Sequence, residues 1–499
     1  MKWEKEKNPA FPLHCARLFV TLQPERETRK TVGHTNDMTE GRPSLLILRF
    51  ALPLMLGNLL LQAYSLVDAG IVGRVLGIGP LAAIGASSSV LFLILGFCNG
   101  CSAGFCIPVA QRFGAKDYSG MRHHISVSLR LAAWLSIALA TVTCLLCRHI
   151  LEWMQTPDAI MPDAWAYLFV TFAGLPTLFY FYLISGILRA VGDSKAPFWF
   201  LAFGAALNIV LDLFFIRVLG WGVVWAAVAS VVSQTVSAVW AYAYMRRAYP
   251  VLRYAGVEET VFRWATARRV LSIGVPMGLQ FSITAIGSMM LQASNNALGT
   301  TCMAAFTTAM RIKMFLMCML ENMGVAMATY CGQNFGAGER RRILVGVRDA
   351  WFIVVGYSLA VLVIVWPVTY DMGSLFVSEA EGADTTGVLR GIEQFLHSSI
   401  PFYPVLGTLC VLRYSIQGMG HTKLAMLSGV SEMIARIAVS LWAVPVWGYT
   451  AVCFGDPTAW VAAVCFLVPA FWFTLRRSFP RPSLPQTRHT PAVASAGNR

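Results

Sequence analysis

The residues in this chain that could do chemistry are those that interrupt its apolar runs. Asp68 and Asp212 each stand inside such a run, Asn208 precedes Asp212 by four positions, and Ser230 falls in the run that follows. If the runs are helices, Asn208 and Asp212 share one face. At a rise of ~1.5 Å per residue, Asp68, Asp212 and Ser230 lie about 8 to 14 Å below the same membrane surface. Two carboxylates with an amide and a hydroxyl at one depth make a hard-oxygen cluster. It suits a sodium ion, with Asp68, Asn208 and Asp212 as ligands, or a proton shared between two like charges. The plainer alternative makes the aspartates interfacial caps and Asn208 a hydrogen-bonding link between helices. The common depth favours ion coupling, because an ionisable residue inside a span costs from about 2.5 kcal/mol upward.

The other polar positions are fewer. Gln280 and Thr284 offer dipoles without titratable charge, and Glu321 either faces a cavity, where it would attract cationic cargo, or pairs with Arg311 or Lys313. With Met317, from the methionine-dense stretch between Met310 and Met327, these are the candidate substrate contacts. Methionine walls adapt to many ligands, although core filling explains most of them. Glu432 and Arg436, at i and i+4, are expected to form an intrahelical ion pair. Cys98/Cys101 and Cys144/Cys147 have CxxC spacing but lie in apolar runs without a second ligand set, so they read as packing residues. The absence of HExxH, GxSxG and Walker patterns argues against an enzyme.

What must position these residues is a bundle of membrane helices. Hydrophobic residues make up 57% of the chain and charged residues 13%, where a soluble domain carries roughly a quarter charged. Apolar runs near the ~20 residues that cross a hydrocarbon core recur from Leu45 to Leu475, about twelve in all. Backbone groups left unsatisfied in lipid are expensive and strand alternation is absent, so the expected fold is all-α and integral to the membrane. A net charge of +14 could suggest nucleic acid. However, the basic residues cluster in alternate connections, near Arg112, Arg189, Arg246, Arg341 and Arg413, whereas the others carry Asp158, Asp163, Asp371 and Glu379 or almost no charge. That asymmetry excludes a nucleic-acid partner as the simple reading and places both termini in the cytoplasm of an inner (plasma) membrane protein.

The chain also repeats. Gly77, Ala83, Gln111 and Gly114 recur 222 residues on as Gly299, Ala305, Gln333 and Gly336, and Gly192 and Lys195 recur 228 on as Gly420 and Lys423. Six spans per half is an even number, so the halves enter the membrane in one sense, related by an axis along its normal. The expected segments are a cytoplasmic tail (1–44), an N-lobe (45–246), a basic linker (247–267), a C-lobe (268–476) and a second tail (477–499). Residues 1–37 are polar and aperiodic, and Met38 is an alternative start. At the repeat offset Asn208 meets Arg436 and Asp212 meets Ser440, so the carboxylate pair belongs to the N-lobe alone.

The stretches LPLMLGNLLLQAYSLVDAGIVGRVLG (52–77), AQRFGAK (110–116), GILRAVGDSK (186–195), NIVLD (208–212), GQNFGAG (332–338) and QGMGHTK (417–423) resemble the multidrug and toxic compound extrusion (MATE) transporters. The resemblance runs from about Met38 to Arg477. It implies two six-helix lobes around a V-shaped cavity, and Na+- or H+-coupled antiport of cationic or amphipathic organic compounds. It further implies an N-lobe cation site whose positions Asp68, Asn208, Asp212 and Ser230 match, with serine where threonine is more usual. The expected partners are small-molecule substrates and membrane lipids around a monomer, with no cofactor beyond the coupling ion. The rival reading, a flippase of a lipid-linked saccharide, wants a strongly cationic cavity, and these spans carry little central positive charge.

Overall fold

The computed structural model describes residues 37–75, 77–376 and 385–479. The sequence-assigned tails up to residue 36 and from residue 480, and the acidic positions Glu379, Glu381 and Asp384, lie outside the described residues.

Apolar stretches in lipid must close their own backbone hydrogen bonds, and they do so as helices. The first half contains α1 (Pro43–Val75), α2 (Ile78–Gly114), α3 (Tyr118–Trp153), α4 (Met161–Ala173), α5 (Leu175–Ala190), α6 (Lys195–Asp212) and α7 (Val224–Ala248). The second contains α8 (Trp264–Asn296), α9 (Thr300–Gly336), α10 (Arg340–Val365), α11 (Thr369–Ser374), α12 (Thr385–Ser399), α13 (Tyr403–Gly418), α14 (Thr422–Ala438), α15 (Val444–Trp447), α16 (Tyr449–Cys453) and α17 (Gly455–Ser478). Among the described residues eleven stretches are long and apolar enough to cross a membrane, and α4 with α5, bent by 45°, makes a twelfth if the pair is one span. The bend falls at Gly174, where a Cβ would sit 2.4 Å from Val231. Pro176 follows at once and has no amide hydrogen to continue the ladder. Among the described residues there is no strand.

The halves repeat in backbone detail. Left-handed glycines close matching turns at Gly77 and Gly299 (φ 90° and 107°) and at Gly192 and Gly420 (φ 91° and 86°). A Cβ is strained in that region, which is why these glycines recur at the repeat offset. After α6 the chain winds into a π-helical turn, Leu213–Val218, and after α14 into another, Val439–Ala443. Buried apolar residues gather into two main clusters, one from Ala83 to Val270 and one from Leu291 to Leu475. Cys98, Cys101 and Cys147 are buried within the first. The second also takes in Met38, Ile47, Phe50 and Ala51. The Met38 amide donates to Gln333 Oε1 at 2.9 Å, and its carbonyl accepts from Asn334 and Arg342, both at 3.2 Å. Residues read from sequence as the end of a tail are therefore docked on the second half.

The halves meet closely at the end of the bundle that carries the basic connections. There α2 crosses α8 at Gly104, where a Cβ would lie 2.5 Å from Gly274 Cα. Further on, a Cβ at Gly114 would fall 1.9 Å from the Gln333 carbonyl oxygen, and one at Gly336 1.8 Å from that of Gln111. Gln111 Nε2 donates to Gly418 O at 2.9 Å, and Gln333 Nε2 donates to Ala190 O at 2.8 Å. The two bonds are images of each other under the repeat, so the AQRFGA and GQNFGA motifs form one two-sided seam. The linker is also tied down, since Arg122 Nε and Nη2 donate to Glu259 at 2.8 and 2.6 Å.

Candidate functional site

Helix α1 brings Tyr64 and Asp68, one turn apart, against α6, which presents Asn208 and Asp212, and α7 supplies Ser230. Asn208 and Asp212 are 1% and 0% exposed, while Tyr64, Asp68 and Ser230 are half-buried. The Asn208 amide lies 2.7 Å from Asp212 Oδ2, 2.6 Å from the Tyr64 hydroxyl, and 3.1 and 2.9 Å from Oγ and N of Ser230. With its nitrogen toward Asp212 and Tyr64 and its oxygen toward Ser230, every contact pairs a donor with an acceptor. The carboxyl groups of Asp68 and Asp212 lie within interaction range of each other, and Asp212 Oδ1 is buried with no donor of its own.

Two carboxyl groups within interaction range cannot both remain bare charges in a poorly solvated place. One proton between them, or a cation, removes the repulsion. The structure thus gathers all four residues expected from the sequence, and adds Tyr64 and Tyr167, which lie within electrostatic reach of both aspartates. Tyr64 was legible: it precedes Asp68 by four positions, the spacing that joined Asn208 to Asp212. Tyr167 carried no sequence signal. The carboxyl and hydroxyl oxygens fit a hard cation such as sodium, but Asn208, expected as an oxygen ligand, turns its nitrogen to the pair. The α-helical winding of α6 ends at Asp212, where the π-helical turn begins, a distortion that recurs at functional sites.

The equivalent region of the second half holds charges of another kind. Lys313 on α9 bonds Asp456 on α17, Arg436 Nε donates to Asp456 Oδ1 at 2.8 Å, Arg436 reaches Glu432 at 3.4 Å, and Arg413 on α13 bonds Glu432. All five side chains are buried. The expected Glu432–Arg436 pair is present but long, so the close partner of Arg436 is Asp456, which sequence reading overlooked. Arg413, read as a loop cation, is a buried helix residue. A network of this sort is stable only when every member is paired. Glu321 pairs with neither Arg311 nor Lys313; it is exposed, lines neither of the cavities described below, and lies within electrostatic reach of Lys313 and Arg413.

Two cavities lie between the halves. One of about 230 Å³, toward the basic end, is lined from both halves by residues that include Asn58, Asn99, Ser185, Arg189, Asn322 and Tyr414. Asn58 donates to Asn322 across it at 3.0 Å. The other, of about 330 Å³ toward the far end, is lined by Ser88, Ser288, Met289, Met310 and Asp456 among others. Of the expected substrate contacts, Gln280 is buried and accepts from Gln417 Nε2 at 2.7 Å, and Met317 packs on the second core cluster. Thr284 keeps its hydroxyl buried without a partner. None of these three lines either cavity; the helix faces next to them do, through Met277, Phe281, Ser288 and Met289.

The MatE family model matches residues 53–214 and 276–442. The probable multidrug resistance protein YpnP of Bacillus subtilis is 29% identical over 81% of this chain and 87% of its own length. The probable multidrug resistance protein NorM of Thermotoga maritima is 22% identical, covering 79% of this chain and 84% of its own. Among solved structures, the outward-facing conformation of a multidrug resistance MATE family transporter aligns with a TM-score of 0.82 at 21% identity, over 89% of this chain and 99% of that one. A crystal structure of MATE in complex with MaL6 aligns with a TM-score of 0.81 at 22% identity, over 90% and 99%.

Proposed function

Because this chain belongs to the MatE family of multidrug and toxic compound extrusion transporters, we propose that it is a cation-coupled antiporter that exports amphipathic organic compounds, with Asp68 and Asp212 as the coupling pair. The observation that carries this reading is the buried Oδ1 of Asp212, which has no donor, with the Asp68 carboxyl within interaction range of it. A shared proton satisfies that oxygen and cancels the like-charge repulsion at once. Sodium is the second reading, favoured by the surrounding carboxyl and hydroxyl oxygens.

By the positive-inside argument the basic end is cytoplasmic, and the seam at Gln111 and Gln333 then closes the inner side. The described state is on this reading outward-facing. The coupling helices α1 and α6 also line the inner cavity through Gly57, Asn58, Pro197 and Phe198. Occupancy of the aspartate pair therefore changes the charge at the root of the helices that contact cargo, which gives the ion a differential affinity for the two lobe arrangements. The walls, with Phe181, Phe198 and Phe281 at the inner cavity and Met289 and Met310 at the outer, suit apolar bodies of varied shape.

The test is transport in proteoliposomes with imposed gradients. Asp212→Asn and Asp68→Asn are expected to abolish gradient-driven efflux while inserting normally, since the amide keeps shape and removes only charge. Separate proton and sodium gradients assign the ion. Near wild-type efflux in both variants, at matched protein levels, removes the pair from the mechanism.

A further inference from the structure

The sequence groups Arg189 with the loop cations, but it lies in the last turn of α5 and lines the inner cavity. A cation at the C-terminus of a helix is ordinarily explained by the free carbonyls there. In α5 those carbonyls are taken. Ile187 O accepts from Val191 N, Leu188 O from Asp193 N, and Arg189 O from Gly192 N, at 3.3, 2.9 and 2.9 Å. Ala190 O is held by Gln333. Among the described residues Arg189 has no ion-pair partner, and none of the residues lining the cavity is an aspartate or glutamate. The titratable groups within reach of it are Cys106 and Tyr182, both neutral near pH 7. Asp193, the nearest acid in sequence, is engaged by the Tyr249 hydroxyl at 2.6 Å and by the amides of Lys195 and Ala196 at 3.0 Å. Glu321 does not line this cavity.

A second group points the same way. Ser185, four residues before Arg189 and so on the same face of α5, also lines the cavity. It is 3% exposed and its hydroxyl has no partner. Asn99 presents an exposed side chain to the same space. A guanidinium, a hydroxyl and an amide without acceptors, set among Phe181, Phe198 and Phe281, make a site of defined chemistry: an oxyanion at one end and an apolar body beside it.

We propose that the inner cavity is an oxyanion subsite in which Arg189, with Ser185 one turn away, receives the carboxylate or phosphate of an amphipathic cargo. This names the cargo class for the transport path proposed above and rests on that path, but binding to it needs no gradient. The cargo is then an amphiphilic acid rather than an organic cation.

Equilibrium binding to the purified full-length protein in phosphatidylcholine nanodiscs tests this, with three fluorescent probes that share one body: 11-(dansylamino)undecanoic acid, its methyl ester and a trimethylammonium analogue. The acid is expected to bind about tenfold or more tightly than either other probe, as charge-assisted hydrogen bonds to a desolvated anion imply. Arg189→Gln is expected to remove that preference while leaving ester affinity within about twofold, and Arg189→Lys to restore part of it. Retained ester binding also certifies that the variant is folded. Nanodiscs containing phosphatidylglycerol distinguish the two sources of oxyanion: suppression of acid binding there assigns the subsite to a lipid headgroup, and no suppression assigns it to free cargo. The proposal is overturned if the wild-type protein does not prefer the acid, or if Arg189→Gln weakens all three probes equally. Lost gradient coupling in the aspartate variants would leave this result untouched, so the two readings fail separately.

Discussion

The seam between the halves can be opened by a single methyl group. In Gly114→Ala the new Cβ would stand 1.9 Å from the carbonyl oxygen of Gln333, backbone that cannot step aside as a flexible side chain would. Ordinary contact begins near 3.4 Å, so α2 and α9 must part by about 1.5 Å at this point. The bonds from Gln111 to Gly418 at 2.9 Å and from Gln333 to Ala190 at 2.8 Å span the same seam, and that displacement carries both beyond hydrogen-bonding distance. At about 1 to 1.5 kcal/mol net for each bond, the closed arrangement loses roughly 2 to 3 kcal/mol. That is a shift of roughly 30- to 150-fold toward arrangements with this end open. Spin labels at Lys116 and Glu339, both exposed positions flanking the seam, are expected to report a longer distance distribution by pulsed electron resonance. Efflux is expected to slow because the closed state is under-populated. Gly85→Ala on the same helix is the control, since no atom lies within 4 Å of its Cβ position. A Gly114→Ala distribution superimposable on that of the parent protein refutes the claim that this seam holds the inner side shut.

Asp456→Asn removes the negative charge that Lys313 and Arg436 share and leaves one of them facing an amide nitrogen, and the loss of one member of a buried charge network is expected to cost about 3 to 5 kcal/mol. A fall in Tm in detergent larger than that of Asp212→Asn checks this. Glu432→Gln is expected to strand Arg413 rather than Arg436, so Arg413→Met in the same chain should recover stability. At the linker, the Arg122 guanidinium beside Glu259 holds its carboxyl down at about 2, from an ordinary 4.5. A depressed carboxyl contributes stability that is present above about pH 4.5 and lost as pH falls toward about 2. Hydrogen exchange at residues 250–262 is therefore expected to accelerate across that window, and in Arg122→Ala to be already fast at pH 7. A chain begun at Met38 is expected to transport normally, because Met38 itself makes the contacts to Gln333, Asn334 and Arg342; loss of vesicle transport in that truncation would assign a role to the upstream residues.

Much of the architecture was written in patterns that depend on short-range chemistry. Apolar length gives spans, and glycines at a fixed offset give the repeat, because a left-handed turn tolerates little else. The gathering of Asp68, Asn208, Asp212 and Ser230 was legible through i, i+4 spacing and depth, which need only helical geometry. What escaped were contacts between residues far apart in the chain. Asp456 opens the last span and looks like an N-terminal acid, and nothing local reveals that Lys313 and Arg436 meet there. Arg413 and Arg189 were read as loop cations since each lies near a turn; a shift of one helical turn decides between a solvated head and a buried one. Gln280 and Thr284 failed as cavity contacts for the same reason, since the face next to theirs lines the space.

The repeat itself bears on why the proposed coupling pair sits in one half and has no counterpart in the other. Both halves share the π-helical turn, and the repeat-related positions at its start are Asn208 and Asp212 in one and Arg436 and Ser440, the latter within the turn, in the other. In the second half, α14 is tied to α13 through Arg413 and to α17 and α9 through Asp456 and Lys313, so its charges are answered within the protein. A group whose counter-ions are fixed has little to gain from a mobile one. In the first half, among the described residues, no ion pair answers either aspartate, and on the proposed reading the charge that satisfies them comes from solution. On this argument, installing a counter-ion in the first half should abolish the need for the external cation. Ser230→Lys, placed on α7 against Asn208, is expected to fix the lobe in its cation-bound arrangement. The spin-label distance across the seam should then become insensitive to pH and to sodium, while the parent protein responds to one of them; a Ser230→Lys protein that still responds would show that the aspartate pair is not where the ion acts.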